Sequence, residues 1–225
     1  MARRASRRFD AWLAPLLCLL VAGAIVGASV EGLRWLHYLC KPAATLLVLA
    51  RAAQGERGPY RRWILVGLAF SLVGDICLML PVDAFVAGLG AFLLAHLAYI
   101  VALRRGVRAG ALAVSVPLLA VYAAGNVFGL WPHLPAPLRV PVIAYTVVLA
   151  CMAALALARG IKPPRGARRG AGVAALGALL FVASDSLLAW DRFAGPLPYA
   201  VFGVLATYYA AQWCIASSIP RRARY

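Results

Sequence analysis

Residues 63–80, WILVGLAFSLVGDICLML, contain one charged side chain, Asp75, and are bounded by Arg61-Arg62 on one side and Pro81 on the other. At a rise of about 1.5 Å per residue, an apolar helix of this length nearly covers a hydrocarbon core of about 30 Å. A helix that is apolar on every side belongs inside a large core or across a membrane. The composition decides between the two. Of 225 residues, 64% are apolar and 13% charged, whereas soluble domains have about 45–50% and about 25%. A soluble globule is excluded, and so is a disordered chain, which lacks this much surface to remove from water.

Working outward from this stretch, the same length rule cuts the chain into eight apolar spans, at about 12–30, 33–50, 63–80, 84–103, 109–128, 138–158, 171–190 and 197–219. No polar linker is long enough to separate two cores. The expected architecture is an all-α, polytopic membrane protein: one integral-membrane domain over residues 1–225 with eight transmembrane helices. The first span follows MARRASRR and resembles a signal peptide with a small-residue site near Gly27-Ala28-Ser29, but its apolar stretch is too long for that role, so it is read as a retained helix. Cys18, Cys40, Cys77, Cys151 and Cys214 all lie in apolar stretches without a CxxC pair and read as small hydrophobes.

Lys and Arg number 23 against 7 Asp and Glu, a net charge of +16. In a soluble chain that excess suggests nucleic acid. Here the basic residues fill short breaks between apolar spans, so membrane lipids, and no nucleic acid, are the expected partners. They also sort by loop. The amino terminus has Arg3, Arg4, Arg7 and Arg8; the second loop has Arg51, Arg57, Arg61 and Arg62; the fourth has Arg104, Arg105 and Arg108. The sixth has Arg159, Lys162, Arg165, Arg168 and Arg169, and the tail has Arg221, Arg222 and Arg224. Only Arg34, Lys41, Arg139 and Arg192 fall elsewhere. The positive-inside rule then puts both termini in the cytoplasm. The Arg- and Ala-rich composition points to a bacterial inner (plasma) membrane.

Ionisable groups at membrane depth are costly and mark function by default. Asp75 and Asp185 each lie roughly 12–14 residues into outward-running spans, about 18–21 Å up the core, and Lys41, running the other way, reaches nearly the same layer. Each aspartate alone could be interhelical glue. Two at matched depth can divide into a proton donor and an anion. Lys41 either neutralises an aspartate or meets a substrate phosphate. Among supporting candidates, Ser71 is one turn before Asp75, Ser184 adjoins Asp185, and two pairs share helix faces, His96 with Tyr99 and Tyr208 with Gln212. His37 lies one turn before Lys41, whereas Asn126 and His133 fall near the outer surface.

Other chemistries fit poorly. The chain has three histidines, widely spread, and no HxxxH or HExxH, while zinc wants three or four placed ligands. No metal and no cofactor are expected. GxSxG is absent too. Gly23 and Gly27 form a GxxxG, usually a packing motif. Asp75 and Asp185 are 110 residues apart, and Asp83 and Asp191, each followed two residues later by Phe, are 108 apart. A duplication of four helices explains this echo, as does chance.

Taken together, residues 67–79 (GLAFSLVGDICLM), 85–99 (FVAGLGAFLLAHLAY), 184–193 (SDSLLAWDRF) and 208–212 (YYAAQ), with Lys41-Pro42, resemble the YhhN-like lysoplasmalogenase family. The resemblance runs from about the second span to the eighth. It implies a membrane hydrolase that cleaves the vinyl ether bond of a lysophospholipid substrate, lysoplasmalogen, to a fatty aldehyde and a glycerophospho-ethanolamine or -choline. It also implies that Asp75 and Asp185 are the catalytic residues. Such a bond is hydrolysed by protonating the carbon beta to oxygen, trapping the oxocarbenium ion with water and letting the hemiacetal collapse. One protonated carboxyl and one carboxylate suffice for this. A transporter using the same aspartates for a proton or cation is the alternative, and a non-catalytic lipid-binding scaffold is a further one.

Overall fold

The computed structural model describes the backbone of residues 2–220 and the side chains of residues 12–220. Arg3, Arg4, Arg7, Arg8, Arg221, Arg222 and Arg224, used in the charge argument, have side chains outside the described residues. The regular elements among the described residues are all helical: α1 (Ala2–Ser29), α2 (Arg34–Ala53), α3 (Pro59–Met79), α4 (Phe85–Leu103), α5 (Ala109–Leu130), α6 (Ala136–Ile161), α7 (Arg168–Phe193) and α8 (Ala200–Ser217). A 3₁₀ turn, Trp131–His133, follows α5.

Seven of these helices are long and apolar enough to cross a membrane. The exception is α2, because Arg34, Lys41 and Arg51 interrupt it, and its buried face carries Lys41, Thr45 and Arg51 beside Ala44 and Val48. Apolar length thus supports seven of the eight expected spans, and α2 turns a partly polar face to the bundle while Trp35, Leu39 and Leu46 on its other side are exposed.

Several bounds also shift, because helices end where backbone geometry stops them. The sixth and seventh helices overrun the expected 138–158 and 171–190, since backbone amides keep pairing past the apolar residues and carry Arg159, Arg168 and Arg169 on extra turns. The eighth starts at Ala200 rather than 197. Leu197 precedes Pro198, which disfavours helical geometry there, and Tyr199 turns the chain in the left-handed region at φ 58°. Pro15, Pro42, Pro117 and Pro141 sit within helices, which membrane proteins tolerate when neighbouring groups take up the freed carbonyls.

The short connections make most consecutive helices antiparallel neighbours; the exception is α4 and α5, which pack on α6 instead of on each other. The α3–α4 and α7–α8 hairpins are the most tightly packed, and α4 lies on α6 as α8 lies on α2. The pairing thus repeats after four helices. Asp83 and Arg192 pair at 3.0 Å, and Phe85 meets Phe193 edge-on at 5.6 Å between ring centres, so the third and seventh loops share one end. At the other end Glu56 N–H donates to Pro220 O at 2.8 Å, and Arg159 donates to the Arg105 carbonyl.

Small residues set the depth of α3 in this packing. The Tyr99 ring packs against Gly67, and a Cβ on Gly74 would stand 2.6 Å from the Phe92 ring. Gly67→Ala forces the fully buried Tyr99 to move, and overpacking of this kind costs about 1–3 kcal/mol. We expect a lowered melting temperature in detergent, measured against the wild type.

Candidate active site

A cavity of about 330 Å³ lies among the helices and takes lining residues from all eight, within the range of about 300–1,000 Å³ typical of small-ligand sites. Its polar wall carries Lys41, Asp75, Tyr145, Ser184, Asp185 and Tyr208. Its apolar wall includes Phe85, Leu89, Phe92, Leu119, Leu130 and Val201. Both aspartates therefore open into one space, although they lie 110 residues apart in the chain.

Each aspartate receives one set of partners from the preceding helix and one from the return helix of the other hairpin. Asp75 is 1% exposed. From α2, Lys41 Nζ lies 3.4 Å from its Oδ1, and Thr45 Oγ1 donates to its Oδ2 at 2.6 Å. From α8, Tyr208 OH donates to the same Oδ2 at 2.8 Å. Asp185 takes its partners from α6 and α4. Tyr145 OH donates to Oδ2 at 2.5 Å, while His96 Nε2 stands 2.9 Å from that hydroxyl and 3.5 Å from Oδ2. Oδ1 of Asp185 has no hydrogen bond among the described residues, and the side chain keeps 14% exposure to the cavity.

The two carboxyls thus differ in kind. Every group touching Asp75 is a donor, one of them an ammonium, which is the environment of a carboxylate. Asp185 has one oxygen anchored and one open to the cavity.

Ser71, Tyr99 and Gln212 do not reach the cavity. They form a buried chain behind Asp75: Ser71 Oγ lies 3.5 Å from Tyr99 OH, Tyr99 OH donates to Gln212 Oε1 at 2.9 Å, and Gln212 Nε2 donates to Tyr208 OH at 3.1 Å. The face shared by His96 and Tyr99 is divided between two networks, His96 serving Asp185 and Tyr99 serving Gln212. Ser184 lines the cavity, but its hydroxyl donates to Val204 O at 3.1 Å. His37 also lines it, with Nδ1–H given to Ala24 O at 2.8 Å. Asn126 lies in the cavity wall and accepts the indole N–H of Trp190 at 3.1 Å. Among the described residues, no three His, Cys, Asp or Glu side chains gather as a metal-ligand set.

The family model that matches this chain is described as the YhhN family, and it covers residues 36–219. The chain belongs to the YhhN family. Two curated relatives are named lysoplasmalogenase TMEM86B. The Sus scrofa protein is 37% identical over 212 residues, covering 92% of this chain and 86% of that protein; the Homo sapiens protein is 35% identical over 212 residues, covering 93% and 87%. A Mycobacterium bovis protein named lysoplasmalogenase is 36% identical over 174 residues, covering 74% of this chain and 64% of its own. No solved structure matches the chain.

Three residues of this YhhN-family site are not among the candidates that the sequence singles out. Thr45 follows Lys41 by one turn, so helical spacing alone puts both on one face. Tyr209 donates to Lys41 O at 2.6 Å, fixing α2 against α8, but in sequence it is only the neighbour of Tyr208. Tyr145 carries no local signal, being one tyrosine in a largely apolar helix.

Proposed function

We propose that this protein is a membrane-embedded lysoplasmalogenase that cleaves the vinyl ether bond of a lysophospholipid, releasing a fatty aldehyde and a glycerophospho-ethanolamine or -choline. The observation that carries the reading is the single cavity with two chemically unlike carboxyls on one wall and an apolar lining on the other. The names and lengths of the relatives support it. A lysolipid has one long chain for the apolar wall, where each buried CH₂ contributes about 0.8 kcal/mol, and its ether lies next to the headgroup, where the polar wall begins.

In the proposed mechanism Asp185 carries the proton on its open Oδ1 and gives it to the vinyl carbon beta to oxygen. Asp75, kept anionic by Lys41, Thr45 and Tyr208, stabilises the oxocarbenium ion from a fixed position. Water adds to the cationic carbon and loses a proton to the Asp185 carboxylate, which restores the acid. The hemiacetal then collapses as its hydroxyl proton passes to the leaving glycerol oxygen. The sum is one water consumed and one aldehyde and one alcohol formed.

Tyr145 and His96 act through Asp185 as positioning residues, holding Oδ2 so that Oδ1 faces the cavity. Tyr145→Phe removes the hydrogen bond to the carboxylate that Asp185 becomes as it gives up its proton, worth about 1.5–3 kcal/mol for a charged partner. Steady-state kinetics should show kcat down by about tenfold or more, with KM little changed.

The direct test is mass spectrometry of a panel of lysolipids incubated with purified protein. Aldehyde and headgroup products are expected from the vinyl ether lipid. The matched saturated ether lacks the double bond that accepts the proton and should stay intact. Equal cleavage of both, or of neither, would remove the reading.

For topology, we propose that all eight helices cross the bilayer of a bacterial plasma membrane, with both termini cytoplasmic. The reading is supported by the arginine-rich second, fourth and sixth connections, which positive-inside reasoning assigns to the cytoplasm.

A further inference from the structure

At the end of the bundle where α4 and α6 finish and α3 and α7 begin, a second cavity of about 890 Å³ is lined by Arg51, Arg105, Arg159 and Arg169, with Tyr60 and Ser218. No Asp or Glu is part of its wall. This cavity shares no residue with the one that holds the aspartates.

Arg159 is the feature that loop charge does not explain. It is only 8% exposed, and its guanidinium donates to the carbonyls of Leu103 at 3.3 Å and of Arg105. The guanidinium carbon lies 5.4 Å from the centre of the Tyr60 ring, and Nε is buried without a hydrogen-bond partner among the described residues. Arg105, Arg159 and Arg169 make no ion pair with a described carboxylate. Carbonyls satisfy donors but leave the charge unbalanced, and an uncompensated buried cation is costly. The first turn of α7 adds to the positive field, since Arg169 and Gly170 line the same wall. The leading amides of a helix lack intrahelical acceptors and carry the positive end of its dipole.

We infer that this arginine cavity binds a phosphate group, carried either by an anionic lipid headgroup or by free phosphate. Guanidinium forks together with the amides of a helix start are the donor set that suits a tetrahedral oxyanion. Bound there, the phosphate ties the loop after α4, the start of α7 and the end of α8 together, at the end of the bundle away from the Asp83–Arg192 pair. This inference does not depend on the proposed activity.

The test measures melting of the purified protein in phosphatidylcholine nanodiscs with and without a minor fraction of phosphatidylglycerol. A parallel arm adds millimolar inorganic phosphate, with chloride at equal ionic strength as the control. Because Arg159→Gln can fail to fold, the variant used is the exposed pair Arg105→Gln/Arg169→Gln, and Arg139→Gln, outside this cavity, controls for lost charge. Stabilisation by phosphatidylglycerol alone identifies a lipid headgroup, and stabilisation by phosphate beyond chloride identifies free phosphate. In either case apparent affinity should fall by about tenfold or more in the double variant and stay near wild type in Arg139→Gln. No stabilisation in either arm, or equal stabilisation of wild type and double variant, would overturn the inference.

Discussion

Asp185→Asn is expected to lower kcat/KM on lysoplasmalogen by about 10²- to 10⁴-fold, the contribution usually made by a positioned general acid or base. The substitution keeps the shape of the side chain, and its amide oxygen can still accept the Tyr145 hydroxyl that lies 2.5 Å from Oδ2 in the wild type. Melting temperature should therefore stay close to that of the wild type. What is lost is the proton on the open oxygen. Stopped or steady-state assay of aldehyde release, alongside a melting curve, separates the two effects. A variant that unfolds, or one that retains wild-type turnover, contradicts the role given to Asp185.

The largest effect on stability is expected at Lys41. Its ammonium lies 3.4 Å from Asp75 Oδ1, and both side chains are buried. Lys41→Met strands a carboxylate that is 1% exposed, and breaking one side of such a pair costs about 3–5 kcal/mol. Lys41→Met/Asp75→Asn removes both charges and should recover most of that loss while remaining inactive. Unfolding curves in detergent for the wild type, the single variant and the double variant complete the comparison. If Lys41 instead serves mainly to hold a substrate phosphate, the single variant will raise KM and leave stability unchanged, and the anchoring role of Lys41 falls.

Much of this site is legible in the sequence because membranes make charge rare. Asp75, Asp185 and Lys41 stand out against apolar neighbours, and counting residues from the ends of their spans gives their common depth. Depth does not give azimuth. Only packing shows that Asp75 faces α2 and α8 while Asp185 faces α6 and α4, and this is what makes one carboxyl fully donor-bound and leaves the other open. Tyr145 shows the limit most clearly, because a tyrosine in an apolar helix is ordinary until the chain 40 residues further on is folded against it. The spacing of His96 and Tyr99 correctly predicts a shared face, yet that face is wide enough for the two side chains to serve different partners.

The apolar-length rule has a similar limit. It finds the helices but does not show which side of α2 turns inward, and packing buries Lys41, Thr45 and Arg51 there. A helix that brings polar groups into a bundle is recognised by what it packs against. Helix ends follow backbone geometry, as the proline-bounded entry to α8 illustrates, and not the end of an apolar run.

Protonation of the vinyl carbon can be read from the product itself. Turnover of lysoplasmalogen in D₂O, with the aldehyde reduced as it forms and analysed by mass spectrometry, should place one deuterium on the carbon next to the new carbonyl, and Asp185→Asn should nearly abolish this labelled product. Aldehyde released without deuterium at that carbon, or labelled product formed as fast by Asp185→Asn as by the wild type, would contradict the account.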